Sequence, residues 1–211
     1  MSSWSPGPGD EKVDQSSAAR IRDAALKCFA VHGTASTSLR QIAGEAGVSI
    51  GLVQHHYGTK TRLIEVVDQH VLAVLGASLA TPASPPSDSV DEFGQRVITL
   101  ILQQPDVIDY IGRTLIDGNP IGAVIFDGLV AMGEARWKQR AEQQLTAPDL
   151  DHTWAALNPL ILVLGAITMR THLDRHLPEP FTSTTQLTRW QDAVNILIRD
   201  GQLRHSDEPH S

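Results

Sequence analysis

The residues able to do chemistry are few and mostly scattered. His172 and His176 stand four apart, close enough on one helix to share a metal ion. No cysteine or carboxylate stands at a convincing third position, and a closed structural zinc site needs about four ligands. His55 and His56 are adjacent, so a helix turns them about 100° apart, toward two different surfaces. Cys28 is the only cysteine; it can form no disulfide within the chain, which fits a reducing cytosol. There is no Gly-rich phosphate loop, no nucleophile elbow and no Glu-x-x-His pair of the di-iron kind. No metal and no cofactor is expected, and a helical-bundle enzyme lacks its constellation. What does recur is a small hydroxyl in front of an apolar-periodic stretch. Ser38 precedes such a stretch with Gln41 three residues on, a capping box. Ser49 does the same before Ile50. A helix start capped in this way points backbone N–H groups outward, where they can meet phosphate.

Those two hydroxyls need short helices behind them. Leu39, Ile42, Ala43 and Ala46 form the buried face of the first, Gly47 closes it, and Ile50 to about His56 make the second. Two short helices on a Gly turn are a helix-turn-helix, whose second member lies in the major groove of DNA. Ahead of them, Ile21, Ala24, Ala25, Cys28 and Phe29 repeat at helical spacing over about Ser17 to Val31, with Gly33 as the C-terminal cap. Val53 and Tyr57 are expected in the core rather than on DNA. Gly58 and Thr59 make a break, and Lys60 opens a fourth helix with the stripe Leu63, Val66, Val67, Val71 and Val74.

The rest of the chain reads as helices and breaks. TPASPPS, residues 81–87, cannot be helical, because its prolines remove donors and fix the backbone. Further helices are marked by Val97, Ile98, Ile101 and Leu102, by Ile108, Ile111 and Leu115, and by Ile121, Val124, Ile125, Leu129 and Met132. Asn119 suits a cap and Pro120 the first helical position before the last of these. An eighth helix is expected from about Thr153 to His176, bent at Pro159, and a ninth from about Thr184 to Leu203. No strand pattern and no internal repeat stands out. The expected fold is all-α with about nine helices. A mobile arm at 1–16 precedes a helix-turn-helix domain at 17–62, a ligand-binding and dimerisation domain at 63–205 and a disordered tail at 206–211.

Composition and charge agree with a nucleic-acid reader once their distribution is considered. The 211 residues are 41% hydrophobic and 19% charged, ordinary for a water-soluble globular chain. No apolar run reaches the roughly 20 residues of a membrane span; Pro159 to Met169 comes nearest. The N-terminus has neither the basic start nor the apolar core of a secretory signal. No membrane partner and a cytoplasmic location are therefore expected. Net charge is −7, but between Arg20 and Arg62 six cations face two anions, a net +4, leaving −11 elsewhere. A basic block on an acidic body holds DNA at one end and repels it at the other.

The fragments RIRDAALKCFAVHG, TSLRQIAGEAGVS and GLVQHHYGTKTRL, taken in order, resemble the TetR/AcrR family of transcriptional regulators. The specific parts are Phe29-Ala30 before Gly33, Thr37-Ser38, Ile42-Ala43, Ala46-Gly47-Val48-Ser49, and His56-Tyr57 followed by Lys60. They cover about a quarter of the chain. The resemblance implies that Ile50, Gly51, Gln54 and His55 lie on the recognition-helix face toward base edges and backbone. It places Thr37, Ser38, Arg40, His56 and Lys60 near phosphates, with Ser49 joining them through its cap. The family often has Tyr where this chain has Gln54. Gln reaches a phosphate but also pairs bidentately with adenine, and the sequence leaves both roles open.

A helix-turn-helix of this size binds weakly alone, and two copies on a palindrome one DNA turn apart solve that. LNPLILVLGAITM is apolar nearly all round, so two of its faces need covering. In the family the last two helices form a four-helix dimer interface. A homodimer is thus expected, with Leu160, Val163, Ile167, Trp190, Val194, Leu197 and Ile198 as its seam; the plainer reading is a central core helix of a monomer. The family also uses a cavity in this body for small effectors. Tyr110, Arg113, Asp117, Asp127, Trp137, Trp154 and Met169 are the candidate lining, a mostly apolar wall with a few polar groups. For each charged residue alone, a solvated face or a salt bridge is the simpler reading. The expected function is a one-component regulator, in the family's manner a repressor. It would leave a palindromic DNA operator when an unknown small-molecule effector binds. A DNA-binding dimer without effector and a helical-bundle enzyme are the competing readings.

Overall fold

A computed structural model describes residues 8–79 and 90–202. Among them are ten α-helices and no strand. The stretch TPASPPS, residues 1–7 of the arm, Leu203 and the tail lie outside the described residues. Tertiary contacts divide the chain into two compact units, one ending at Val74 and the next beginning at Leu75.

The first unit holds α1 (Pro8–Ser36), α2 (Leu39–Ala46), α3 (Ile50–Tyr57) and the first part of α4 (Lys60–Leu79). Residues 8–16, expected in a mobile arm, are helical and continuous with α1. The expected helix stop at Gly33 is a break inside α1: φ 79 and ψ 158 there are open to glycine and strained for other residues. Ile21, Ala25, Phe29, Ile42, Val53, Leu63, Val67 and Val71 are fully buried, so one core joins the apolar stripes of all four helices. The unit boundary therefore falls at 74/75 instead of 62/63: Leu63, Val67 and Val71 complete the N-terminal core.

The second unit holds the last turn of α4, α5 (Val90–Gln103), α6 (Pro105–Ile116), α7 (Pro120–Glu142), α8 (His152–Thr168), α9 (Arg170–Leu173) and α10 (Thr184–Gln202). A 3-10 turn over Asp174–His176 follows α9. Helix α7 packs on α8 and α6, α10 on α5 and α8, and α6 on α8 and α5. Proline opens α6 and α7, where the missing N–H costs nothing. Asn119 sits at the N-cap of α7, but its side chain accepts no capping bond. The cap of α8 is Asp151, whose carboxylate accepts from the Thr153 and Trp154 N–H groups at 3.0 and 3.1 Å.

The expected eighth helix is interrupted elsewhere than foreseen. Pro159 lies inside α8, which continues through it. The chain instead turns at Met169, where the helix direction changes by 70°. Arg170 then forms a two-pronged ion pair with Asp109 of α6, Nη2 to Oδ2 at 2.9 Å and Nη1 to Oδ1. This clamp supports the bend and accounts for ten helices where nine were expected.

Candidate nucleic-acid interface and cavity

The reading helix is fixed by its two ends and by its neighbour. Ser38 caps α2 with a full capping box: its Oγ accepts from the Gln41 N–H at 3.2 Å, and its own N–H donates to Gln41 Oε1 at 2.8 Å. Gly47 closes α2 in the left-handed region at φ 64, ψ 38, and the Val48 N–H donates to the Ala43 carbonyl at 3.0 Å. Ser49 then caps α3, its Oγ accepting from the Leu52 N–H at 3.2 Å. Arg20 Nη2 donates to the Ala46 carbonyl at 2.7 Å, tying α1 to the turn. Tyr57 Oη donates to the Ala18 carbonyl at 2.7 Å; burial raises its pKa, so it stays a neutral donor. These bonds leave α3 one rotational setting.

In that setting Val53 is fully buried, while Ile50, Gly51, Gln54 and His55 are exposed. At 100° per residue those four fall within an arc of about 140°. Ser38, Arg40 and Ser49 are exposed around them. Lys60, half-buried, donates from Nζ to the Ala35 carbonyl at 3.1 Å. His56 is half-buried, its ring 5.5 Å from that of His55 and 6.2 Å from that of Tyr57. Thr37 requires a correction. It is 2% exposed, and its hydroxyl is directed at the Gly33 carbonyl at 2.8 Å and the Cys28 carbonyl at 3.3 Å. It therefore clamps the break in α1, and its side chain is not exposed as a phosphate contact would need to be. Neighbouring Cys28 is buried, which pushes its thiol pKa up.

The cations of this unit are not equivalent. Arg22 pairs with Asp23 at 2.6 Å, Lys27 with Glu45 at 2.5 Å and Arg62 with Glu65 at 2.8 Å. Among the described residues, Arg20, Arg40 and Lys60 have no ion-pair partner.

The second unit holds a partly open cavity of about 160 Å³ lined from the last turn of α4 and from α5, α6, α7, α8 and α10. Leu100, Ile101, Leu129, Met132, Leu164 and Trp137 are among its apolar walls. Of the seven residues expected to line a pocket, Trp137 alone does so. Tyr110 is fully buried in the core. Arg113 and Asp117 pair with each other at 2.8 Å on the surface of α6. Asp127 is exposed, as are Trp154 and Met169. The expected dimer seam is corrected in the opposite sense. Leu160, Val163, Ile167, Trp190, Val194 and Ile198 all line the cavity, so these apolar residues of α8 and α10 face inward, while Trp154, Ile161 and Leu162 of α8 and Ile196 of α10 are exposed. Of the expected seam, Ile198 borders an outer groove as well as the cavity, and Leu197 is 61% exposed on the outside. Leu197 shares this shallow groove with Trp154, Asn158, Ile161, Leu162 and Gly201.

The polar members of the wall escaped sequence reading. Arg136 and Arg140 stand one turn apart on α7, and Gln191 and Asn195 one turn apart on α10. Arg136 is 9% exposed; its guanidinium lies 3.8 Å from the Phe93 ring centre, and Nη2 donates to the Leu79 carbonyl at 3.0 Å. Arg140 lies 5.2 Å from the Trp137 ring centre. Gln191 Nε2 donates to the Asp91 carbonyl at 3.1 Å, and Asn195 Nδ2 to Asp91 Oδ1 at 2.7 Å. The signal available was the i, i+4 spacing of each pair within an apolar stripe.

Among the described residues no group of three or more His, Cys, Asp and Glu is placed to hold a metal ion, and no single helix is long and apolar enough to cross a membrane. A capped reading helix on a four-helix unit, followed by an all-helical body with an apolar cavity, defines a helix-turn-helix protein. Residues 21–67 match the family of bacterial regulatory proteins of the tetR type. The HTH-type transcriptional repressor Rv3405c of Mycobacterium tuberculosis is 35% identical over 105 residues, 50% of this chain and 50% of that protein. The match thus spans about half the length of such relatives. The fold extends further. A TetR family transcriptional regulator from Chloroflexus aurantiacus superposes with a TM-score of 0.69 at 20% identity, over 90% of this chain and 95% of that one. A transcriptional regulator from Saccharomonospora viridis, in complex with choline, superposes with a TM-score of 0.68 at 16% identity, over 90% and 100%.

Proposed function

We propose that this chain is a one-component transcriptional repressor, not an enzyme. It binds a palindromic operator as a homodimer in the cytoplasm and is released by a small molecule held in the cavity. The observation that carries the reading is the exposed arc Ile50, Gly51, Gln54 and His55 on a helix whose rotation is fixed by two serine caps and two long-range bonds. Backbone N–H groups and the cations Arg40 and Lys60 beside that arc suit phosphates, and the arc suits base edges. Repression is supported by the name of the Mycobacterium tuberculosis relative. Dimerisation is supported by the outer groove of α8 and α10, where Trp154, Ile161, Leu162 and Leu197 are exposed together. Release follows if the effector binds more tightly to the arrangement of the body that misplaces the two reading helices.

Selection of bound sequences from random duplexes tests the DNA half. A recovered palindrome with half-sites about 10 base pairs apart supports the reading; no enrichment over random sequence at low salt rejects it. Gln54→Ala on the selected site separates its two roles. Loss of preference at one base pair per half-site, worth about 1–3 kcal/mol, makes Gln54 a base reader. A uniform loss across sequences makes it a phosphate contact.

A further inference from the structure

Resting on the reading of α3 as the helix that enters the major groove, we propose that Ile50 sets part of the operator sequence by packing on the C5-methyl group of a thymine. Ile50 is the first residue of α3 and is 46% exposed. On α2 and α3 it is the one large apolar side chain at the surface: Ile42 and Val53 are buried, and Leu39 and Leu52 are half-buried. A β-branched side chain lowers helix propensity, so the helix itself does not call for isoleucine here. Ser49, Gly51, Gln54 and His55 around it are exposed and bring no further aliphatic surface. A docking face for another protein needs a contiguous apolar patch of several hundred Å², which one side chain does not make.

The chemistry of base edges narrows the partner to one group. The N-terminal residues of a reading helix are those that meet the bases. In the major groove the bases offer hydrogen-bonding atoms and one methyl, that of thymine. Isoleucine has no donor or acceptor, so against the cytosine amine or the guanine O6 it would only strip water from a polar atom. Gly51 lets the backbone come near. Its φ is not positive, and a Cβ there would meet nothing beyond the helix backbone closer than Ser49 Oγ at 3.8 Å. The interior therefore does not require glycine at 51, whereas a bare backbone beside Ile50 permits close approach to a base edge. Gln54 stands four residues on, about 40° round the helix and about 6 Å along its axis. Successive bases are about 3.4 Å apart, so the thymine falls within about two base pairs of the group that Gln54 meets.

Deoxyuridine in place of thymine removes the methyl and keeps the pairing and O4, so the unaltered protein can be tested first. Each thymine of the selected operator is replaced in turn, in both half-sites, and the full chain is titrated by fluorescence anisotropy. One thymine per half-site should cost roughly fourfold in affinity for each half-site changed, the worth of one buried methyl. At that position Ile50→Ala should bind the thymine and uracil duplexes equally, and Ile50→Val should keep part of the difference. Cytosine there should bind weakly, and 5-methylcytosine should recover part of the loss. If every thymine can become uracil without loss, or if Ile50→Ala keeps the full difference at an unchanged unfolding midpoint, Ile50 reads no methyl. The proposal is then overturned, and the recovered operator leaves the DNA-binding reading standing. If selection recovers no operator, both fall.

Discussion

Single residues divide here into those that hold the reading helix and those that face outward from it. Thr37 belongs to the first kind, although family likeness places it near phosphate. Its hydroxyl donates to carbonyls beside the Gly33 break. Thr37→Val should therefore cost about 1 kcal/mol of stability, seen as a lower midpoint of thermal unfolding, with the salt dependence of DNA binding unaltered. A shallower salt slope at unchanged midpoint would return Thr37 to the contact surface. Lys60 offers the contrast. Lys60→Ala should weaken binding to all duplexes alike and make the salt slope shallower by about 1. Position in the sequence could not separate these two residues, because both stand near a helix start. The difference is burial, which depends on how α1 packs against α2.

At the level of elements, periodicity located most helices of the chain but could not say which neighbour covers which face. Helix α8 shows why. Its apolar surface is nearly continuous, and a sequence pattern cannot distinguish a wall of a cavity from a seam between subunits. Gln191 and Asn195 on α10 were the missed guide: amides that bond to Asp91 fix that face of α10 toward α5. The structure makes Leu197 and Val194, equal candidates by pattern, different in kind. Leu197→Glu places a charge in the proposed seam, where loss of water costs several kcal/mol. It should yield monomers in sedimentation and abolish binding to a full palindrome. Val194→Glu should leave assembly intact and damage the cavity instead. If Leu197→Glu sediments as a dimer, the subunits meet elsewhere.

Over the whole molecule, the charge asymmetry legible in the sequence is real but smaller in effect than its count. Three of the six cations between Arg20 and Arg62 are engaged with carboxylates. In the proposed dimer, Arg20, Arg40 and Lys60 would leave six cations for phosphate. At about 0.9 counterions released per phosphate, log K against log salt should fall with a slope of roughly −5. A slope near −10 would mean that the paired cations also turn to DNA. The all-helical class, the helix-turn-helix and the family likeness were legible because caps, glycine turns and apolar spacing are local signals. The cavity was not, because Phe93, Arg136, Trp137 and Gln191 come from three separate helices and share no local pattern.

The placement of the indole side chains has a practical consequence. Trp137 and Trp190 line the cavity, whereas Trp154 is 55% exposed on the outer groove of α8. Intrinsic fluorescence therefore carries two separate channels. Emission from the cavity pair should respond to an occupant and not to protein concentration. Emission from Trp154 should start red-shifted, as for a hydrated indole, and move to the blue as dilute subunits associate. With Trp4 and one set replaced by Phe, each optical signal can be followed alone, so ligand uptake and assembly can be timed against each other without any attached dye.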